Sequence, residues 1–142
     1  KDRLCYQGQQ LILKSGTQNR GGSHYRLSND RWTKARLIGK HRGWDKNCSL
    51  LTWGGMYNCK VEVTAKNGTI TTFMPTSDKR QFFVTSIKDL VGNEQVVEWT
   101  DLGEREVVLR SIKYTRNKKS VQKIRFLTIS LGQQEFQFSI LC

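Results

Sequence analysis

The 142-residue sequence has a single proline and two histidines, and it contains no run of about eighteen apolar residues. One proline and 12 glycines exclude a collagen-like or low-complexity chain. The missing apolar run predicts that no helix spans a membrane, and we expect no membrane insertion. Regular helical periodicity is missing as well, so helix is not the expected secondary structure.

The common catalytic motifs are also missing. There is no P-loop, no GxGxxG, no HExxH and no GxSxG. His24 and His41 stand in polar stretches far from any cysteine pair, which argues against a zinc site. We therefore expect a non-enzymatic protein without metal or cofactor. No RNP, Gly-x-x-Gly or zinc-finger spacing points to a nucleic-acid module, so nucleic acid is not an expected partner.

Acidic residues are scarce: 12 Asp and Glu stand against 24 Lys and Arg, a formal net charge of +12. The surplus is concentrated in residues 1–50 and 113–125. A basic field favours anionic partners such as sulfated glycan or acidic mucin, although it can also serve only solubility. One stretch supplies a candidate polyanion-binding set: Arg31, Lys34, Arg36, Lys40, Arg42 and Lys46. Trp32 and Trp44 lie in the same stretch, either to stack sugars or to anchor a core.

The secondary-structure signal is almost entirely β. Apolar and polar residues alternate from 59 to 65, which indicates a half-buried strand, and an Asn-Gly-Thr turn then leads to the next strand. Other β-branched and aromatic runs predict strands at 69–74, 81–87, 95–99, 106–114, 123–131 and 135–142. This spacing favours a sandwich or barrel. Residues 15–47, rich in Gly, Asn, Ser and Arg, are expected to form an elaborated loop with at most two short strands.

The four cysteines, Cys5, Cys48, Cys59 and Cys142, allow three pairings. Strand geometry favours a nested pattern. In this pattern Cys5–Cys142 ties the first strand to the last, and Cys48–Cys59 closes a short loop.

Two Asn-x-Ser/Thr sequons begin at Asn47 and Asn67. Together with the even cysteine count, they predict a secreted protein that carries N-linked glycan. The chain begins at Lys1 without a signal peptide and ends on a cysteine, which predicts a domain excised from a longer product.

From Val61 onward the sequence resembles a zona pellucida N-type (ZP-N) module, and before that only the cysteine skeleton does. The resemblance rests on SIKYTRNKKSVQKIRFLTISLGQQEFQFSILC, in which Tyr114 and Asn117 precede two strands and the last strand ends in cysteine. In this family a tyrosine, often as Tyr-x-Asn, precedes the last two strands, and the cysteines pair first with fourth and second with third. The resemblance implies one domain over residues 1–142, an immunoglobulin-like β-sandwich with two disulfides.

ZP-N modules build egg coats such as the vitelline envelope. The resemblance implies a secreted glycoprotein of this extracellular matrix that takes part in species-specific sperm–egg recognition at fertilization. The implied partners are a lysin-like sperm acrosomal protein and other ZP modules. Sperm lysin is itself basic, so a domain of net charge +12 is expected to bind it weakly. Two alternatives stay open: a secreted basic module that binds sulfated glycan or mucin, and an immunoglobulin-like adhesion or receptor domain.

Overall fold

A computed structural model describes residues 4–75, 81–103, 106–115 and 137–139 of the chain. Within these ranges the all-β prediction is confirmed. The strands are β1 (Cys5–Tyr6), β2 (Gln9–Ser15), β3 (Ser23–Leu27), β4 (Lys34–Gly39), β5 (Cys59–Thr64), β6 (Ile70–Pro75), β7 (Gln81–Lys88), β8 (Glu94–Gly103), β9 (Glu106–Thr115) and β10 (Gln137–Ser139). A 3-10 helix spans Asp45–Asn47, and the single-turn helix α1 spans Trp53–Met56.

The strands form an antiparallel sheet in which β1 to β9 follow one another in chain order. The exception is β10, which pairs with the first part of β7, where Phe138 lies opposite Phe82. The last part of β7 pairs with β8, where Ser86 lies opposite Val96. β10 also contacts β1. The part of the sheet from β1 to β7 therefore curves, so that its first strand, β1, and its last strand, β7, both border β10.

One face of the sheet supplies the hydrophobic core. Every second residue is buried along β3, β4 and β5, as in Tyr25, Leu37 and Val61. Side chains from other strands join the same cluster: Leu11, Phe73, Phe82, Val84, Val97 and Leu109. Complete burial of one such side chain stabilises a fold by about 1.5–3 kcal/mol. The alternation also determines which side chains of these strands face outward, and the candidate site lies among those outward-facing side chains.

The region 15–47 contains two strands of the sheet interior, because β3 lies between β2 and β4, and β4 lies between β3 and β5. The sequence prediction of at most two short strands holds, but these strands are central to the core and not part of a loop. Their signal is weak because small residues occupy several buried positions. Ser23 is fully buried, and its hydroxyl donates to the Arg20 carbonyl at 2.7 Å.

Cys48 and Cys59 form the predicted local disulfide, with their Cα atoms 4.8 Å apart. It ties the long β4–β5 connection to the first residue of β5. Cys5 is buried on β1, and none of the cysteines in the described ranges is free. Cys142, Asn117 and the predicted strand at 123–131 lie outside the described residues. The Cys5–Cys142 bridge therefore stays a prediction.

The described residues form an antiparallel all-β fold that contains the Cys48–Cys59 disulfide. An immunoglobulin-like sandwich has two packed sheets joined by Greek-key connections. Strands β1 to β9 are instead joined in one hydrogen-bonded order by consecutive connections. The two-sheet arrangement thus stays a prediction that follows from the family resemblance.

Candidate anion-binding face

The outward faces of β3 and β4 carry four basic side chains next to one another. The buried positions alternate along both strands, which leaves His24 and Arg26 exposed on β3, and Lys34 and Arg36 exposed on β4. In the antiparallel register, His24 lies opposite Arg36 and Arg26 lies opposite Lys34. Directly opposite residues have their Cβ atoms about 4.5–5.5 Å apart. We call these four residues the basic face.

The charges of the basic face are only partly balanced within the protein. Like charges opposite each other destabilise a sheet, so this arrangement favours the approach of an anion. Glu62 of β5 balances one cation, since its Oε1 lies 2.7 Å from Nη2 of Arg36. Among the residues that the structure describes, no carboxylate pairs with Arg26 or Lys34. These two cations are therefore available to an external ligand.

Asp30 orders the loop that joins β3 to β4 at one end of the basic face. The Trp32 amide donates to Asp30 Oδ1 at 2.7 Å, and the Thr33 hydroxyl donates to Oδ2 at 2.5 Å. The hydrogen bond from the Thr33 side chain, followed by the one from the Trp32 backbone, holds the pKa of Asp30 below its ordinary value. Asp30 is thus ionised at neutral pH and fixes the backbone beside Trp32.

Trp32 lies on the surface at this end of the basic face, and it is not a core anchor. Its side chain is 51% exposed. The guanidinium carbon of Arg31 lies 5.0 Å from the ring centre, and the ammonium nitrogen of Lys66, from the β5–β6 turn, lies 5.1 Å from it. Both distances are within the range of cation–π attraction. An open groove of about 390 Å³ runs beside the ring, lined by Arg26, Leu27, Ser28, Asn29, Asp30, Arg31 and Trp32.

A second aromatic and basic group lies beyond the opposite end of β4. His41 and Trp44 make an edge contact with ring centres 4.9 Å apart, and Trp44 is 41% exposed. The Gly39 amide donates to Asp45 Oδ1 at 2.8 Å, which fixes this connection against the strand. A strand of this length separates its two ends by roughly 17 Å. The two aromatic groups therefore belong to different parts of the surface.

The structure divides the six predicted polyanion-binding residues among three places. Lys34 and Arg36 lie on the basic face. Arg31 lies in the loop at one end of β4, and the other three lie in the connection after its opposite end: Lys40, Arg42 and Lys46. The predicted set is thus not one cluster, although all six side chains are exposed.

Three basic residues near this site were not predicted from the sequence. His24 and Arg26 face outward because Ser23, Tyr25 and Leu27 face inward, a pattern that alternation in SHYRL can reveal. Lys66 reaches Trp32 only because β4 pairs with β5, with Lys34 opposite Thr64. No local sequence signal indicates that contact.

The other predicted site residues are not part of the basic face. Asn67 is exposed in the β5–β6 turn, and its Oδ1 accepts from the Thr69 amide at 3.0 Å. Asn47 is exposed at the end of the 3-10 helix, directly before the buried Cys48. Tyr114 lies on β9, is 40% exposed and pairs in register with Gln95.

In the ranges 4–75, 81–103, 106–115 and 137–139, no group of three or more His, Cys, Asp or Glu side chains is arranged to hold a metal ion. The same ranges contain no helix of the length and apolarity needed to cross a bilayer. Comparisons with protein-family models, curated proteins and solved structures found no match to this chain.

Proposed function

We propose that this chain is a secreted recognition module that binds sulfated glycan or acidic mucin through its basic face. The observation that carries the proposal is the pair Arg26 and Lys34, which lie opposite each other on neighbouring strands with no carboxylate partner among the described residues. An anionic polymer bound here would reduce the repulsion between these two cations. The net charge of +12 on the chain would also attract such a polymer.

The surroundings of the basic face support a polymeric ligand. The face continues past both ends of β4 into exposed basic residues, Arg31 at one end and Lys40 at the other. Successive sulfate groups along a chain can contact cations at such separated positions. Since these contacts are exposed, salt screens them, and binding is expected to weaken steeply as ionic strength rises.

A heparin column with a salt gradient tests this proposal. We expect Arg26→Ala/Lys34→Ala to elute at clearly lower salt than the wild-type chain. The matched control is Lys88→Ala/Arg110→Ala, which removes two exposed cations from β7 and β9. If the two double variants elute at the same salt concentration, heparin binding depends only on net charge, and the basic face is not the binding site.

The ZP-N resemblance gives a second candidate function, an egg-coat repeat in the vitelline envelope. Within that family, this candidate would be a repeat resembling those of the abalone vitelline envelope receptor for sperm lysin. What supports this candidate is that β1, which carries the buried Cys5, contacts β10, which ends three residues before Cys142. A bridge between the first and fourth cysteines of an immunoglobulin-like sandwich requires the first and last strands to lie next to each other in this way.

Disulfide mapping and a sperm-protein pull-down test this second candidate. A Cys5–Cys142 bridge in the oxidised protein would support the ZP-N assignment. Retention of a lysin-like acrosomal protein near seawater ionic strength would support sperm recognition, and retention of other ZP modules would support a role in coat assembly. Because lysin is basic, we expect it to avoid the basic face and to bind weakly.

The extracellular setting is common to both candidates. The Cys48–Cys59 disulfide and the exposed sequon at Asn67 both suit a secreted glycoprotein. A glycan-binding module can also belong to an egg coat, so evidence for one candidate does not exclude the other.

A further inference from the structure

We propose that the groove beside Trp32 is a saccharide subsite that takes one anionic sugar unit. The sugar would pack against the exposed part of the indole that Arg31 and Lys66 leave uncovered, and its sulfate or carboxylate would lie near these two cations. This inference rests on the proposed glycan-binding function and deepens it, because it assigns a specific binding position next to the basic face.

Two cations line this groove, and a third lies against its indole. Arg26 of β3 and Arg31 of the β3–β4 loop line the groove, and Lys66 of the β5–β6 turn contacts the Trp32 ring. Arg31 and Lys66 each place their charge about 5 Å from the centre of the same indole ring. An anionic group bound at the ring edge is therefore within reach of both cations.

Asp30 makes the groove suited to a sugar more than to a simple polyanion. Its ionised carboxylate lines the groove and already accepts hydrogen bonds from Trp32 and Thr33. A carboxylate has about four acceptor positions, so it can still accept from ligand hydroxyls. It repels any anion, and hydroxyl donors on a sugar offset this repulsion by hydrogen bonding to the carboxylate. A sugar unit that carries both hydroxyl groups and one anionic group matches this mixture of charges.

The groove also has a suitable size and a preformed shape. Its volume of about 390 Å³ lies at the small end of the range for ligand sites, which suits a single sugar unit. The Asp30 hydrogen bonds hold the loop in place before the ligand arrives, so little ordering is required on binding. A nucleic-acid base can also stack on an indole, but the disulfide and the exposed sequon favour an extracellular glycan.

Calorimetric titration of the full chain tests this inference with three probes of matched charge: a heparin-derived octasaccharide, inorganic polyphosphate and oligothymidylate. In 0.5 M salt, where exposed charge contacts are screened, we expect the octasaccharide to bind about tenfold more tightly than polyphosphate. Trp32→Ala should remove this preference, and Trp32→Phe should keep part of it. The matched control is Trp53→Ala, which removes a tryptophan that is 74% exposed in the Cys48–Cys59 loop.

The outcomes separate this inference from the proposed function. If Trp32→Ala binds the octasaccharide as wild type does, the subsite is overturned while glycan binding by the basic face stands. If oligothymidylate is preferred and the preference depends on Trp32, the groove is a base-stacking site and the saccharide assignment is overturned. If the wild-type chain binds none of the three probes at 0.15 M salt, the proposed function fails, and this inference fails with it.

Discussion

The ammonium nitrogen of Lys66 lies 5.1 Å from the centre of the Trp32 indole, although the two residues belong to different turns. Pairing of β4 with β5 explains the contact, because Lys34 at the start of β4 lies opposite Thr64 at the end of β5. The loop before β4 and the turn after β5 must then lie side by side. The fold thus joins the basic face to an exposed aromatic ring at one edge.

The ion pair between Arg36 and Glu62 gives a prediction about binding. We expect Glu62→Gln to raise heparin affinity, because Arg36 is released from its internal partner and the net charge increases. The free energy of unfolding should change by no more than about 1 kcal/mol, since Arg36 is half exposed. The control is Glu98→Gln, which frees Lys113 on β9 instead. If both variants gain the same affinity, a general charge effect explains the result.

The disulfide between Cys48 and Cys59 gives a prediction about stability. We expect Cys48→Ala/Cys59→Ala to lower the free energy of unfolding by about 3 kcal/mol, because the bridge restricts an unfolded loop of about a dozen residues. Urea unfolding followed by circular dichroism measures the change. A loss below about 1 kcal/mol would mean that the bridge does not constrain the unfolded chain as this account requires.

The environment of Asp30 gives a prediction about pH. Its folded pKa is lowered, so its contribution to stability is complete above the ordinary value of about 3.9 and is lost as pH falls through the lower folded value. Nuclear magnetic resonance of the Trp32 backbone amide, which donates to Asp30, should therefore show a titration centred below pH 3.9. In Asp30→Asn this titration should disappear. A wild-type midpoint above 4 would contradict the proposed hydrogen bonding.

The two sequons give a prediction about modification. We expect N-linked glycan at Asn67, because the residue is exposed in a turn and its side chain accepts from the Thr69 amide. Occupancy at Asn47 should be lower, since Cys48 and Ser49 are both buried next to the disulfide. Peptide mass spectrometry of protein secreted from eukaryotic cells measures both sites. Greater occupancy at Asn47 than at Asn67 would refute the ranking.

Local sequence patterns predicted those parts of the fold that depend on neighbouring residues. Alternation and a glycine turn indicated the β5–β6 hairpin, in which Val61 pairs with Phe73. The importance of β3 and β4 was underestimated because the buried positions include Ser23, Ala35 and Gly39, which carry little hydrophobic signal. The pairing of β10 with β7 joins segments that are far apart in the sequence, and no local sequence pattern predicts such a pairing.

The candidate site was predictable to a similar extent. Lys34 and Arg36 were predicted because they stand in a basic stretch of sequence. Arg26 needed the strand register, which places it opposite Lys34. Lys66 needed the order of the strands in the sheet. The sequence thus shows which residues are basic, whereas the pairing of strands determines which of them lie next to one another.

The salt dependence of heparin binding reports whether the basic face supplies the ionic contacts to the glycan. Logarithmic plots of affinity against salt concentration give a slope that grows with the number of ionic contacts. We predict that Arg26→Ala/Lys34→Ala makes this slope shallower by about 2, whereas Lys88→Ala/Arg110→Ala leaves it close to the wild-type value. Equal slopes for all three proteins would contradict the assignment of glycan binding to the basic face.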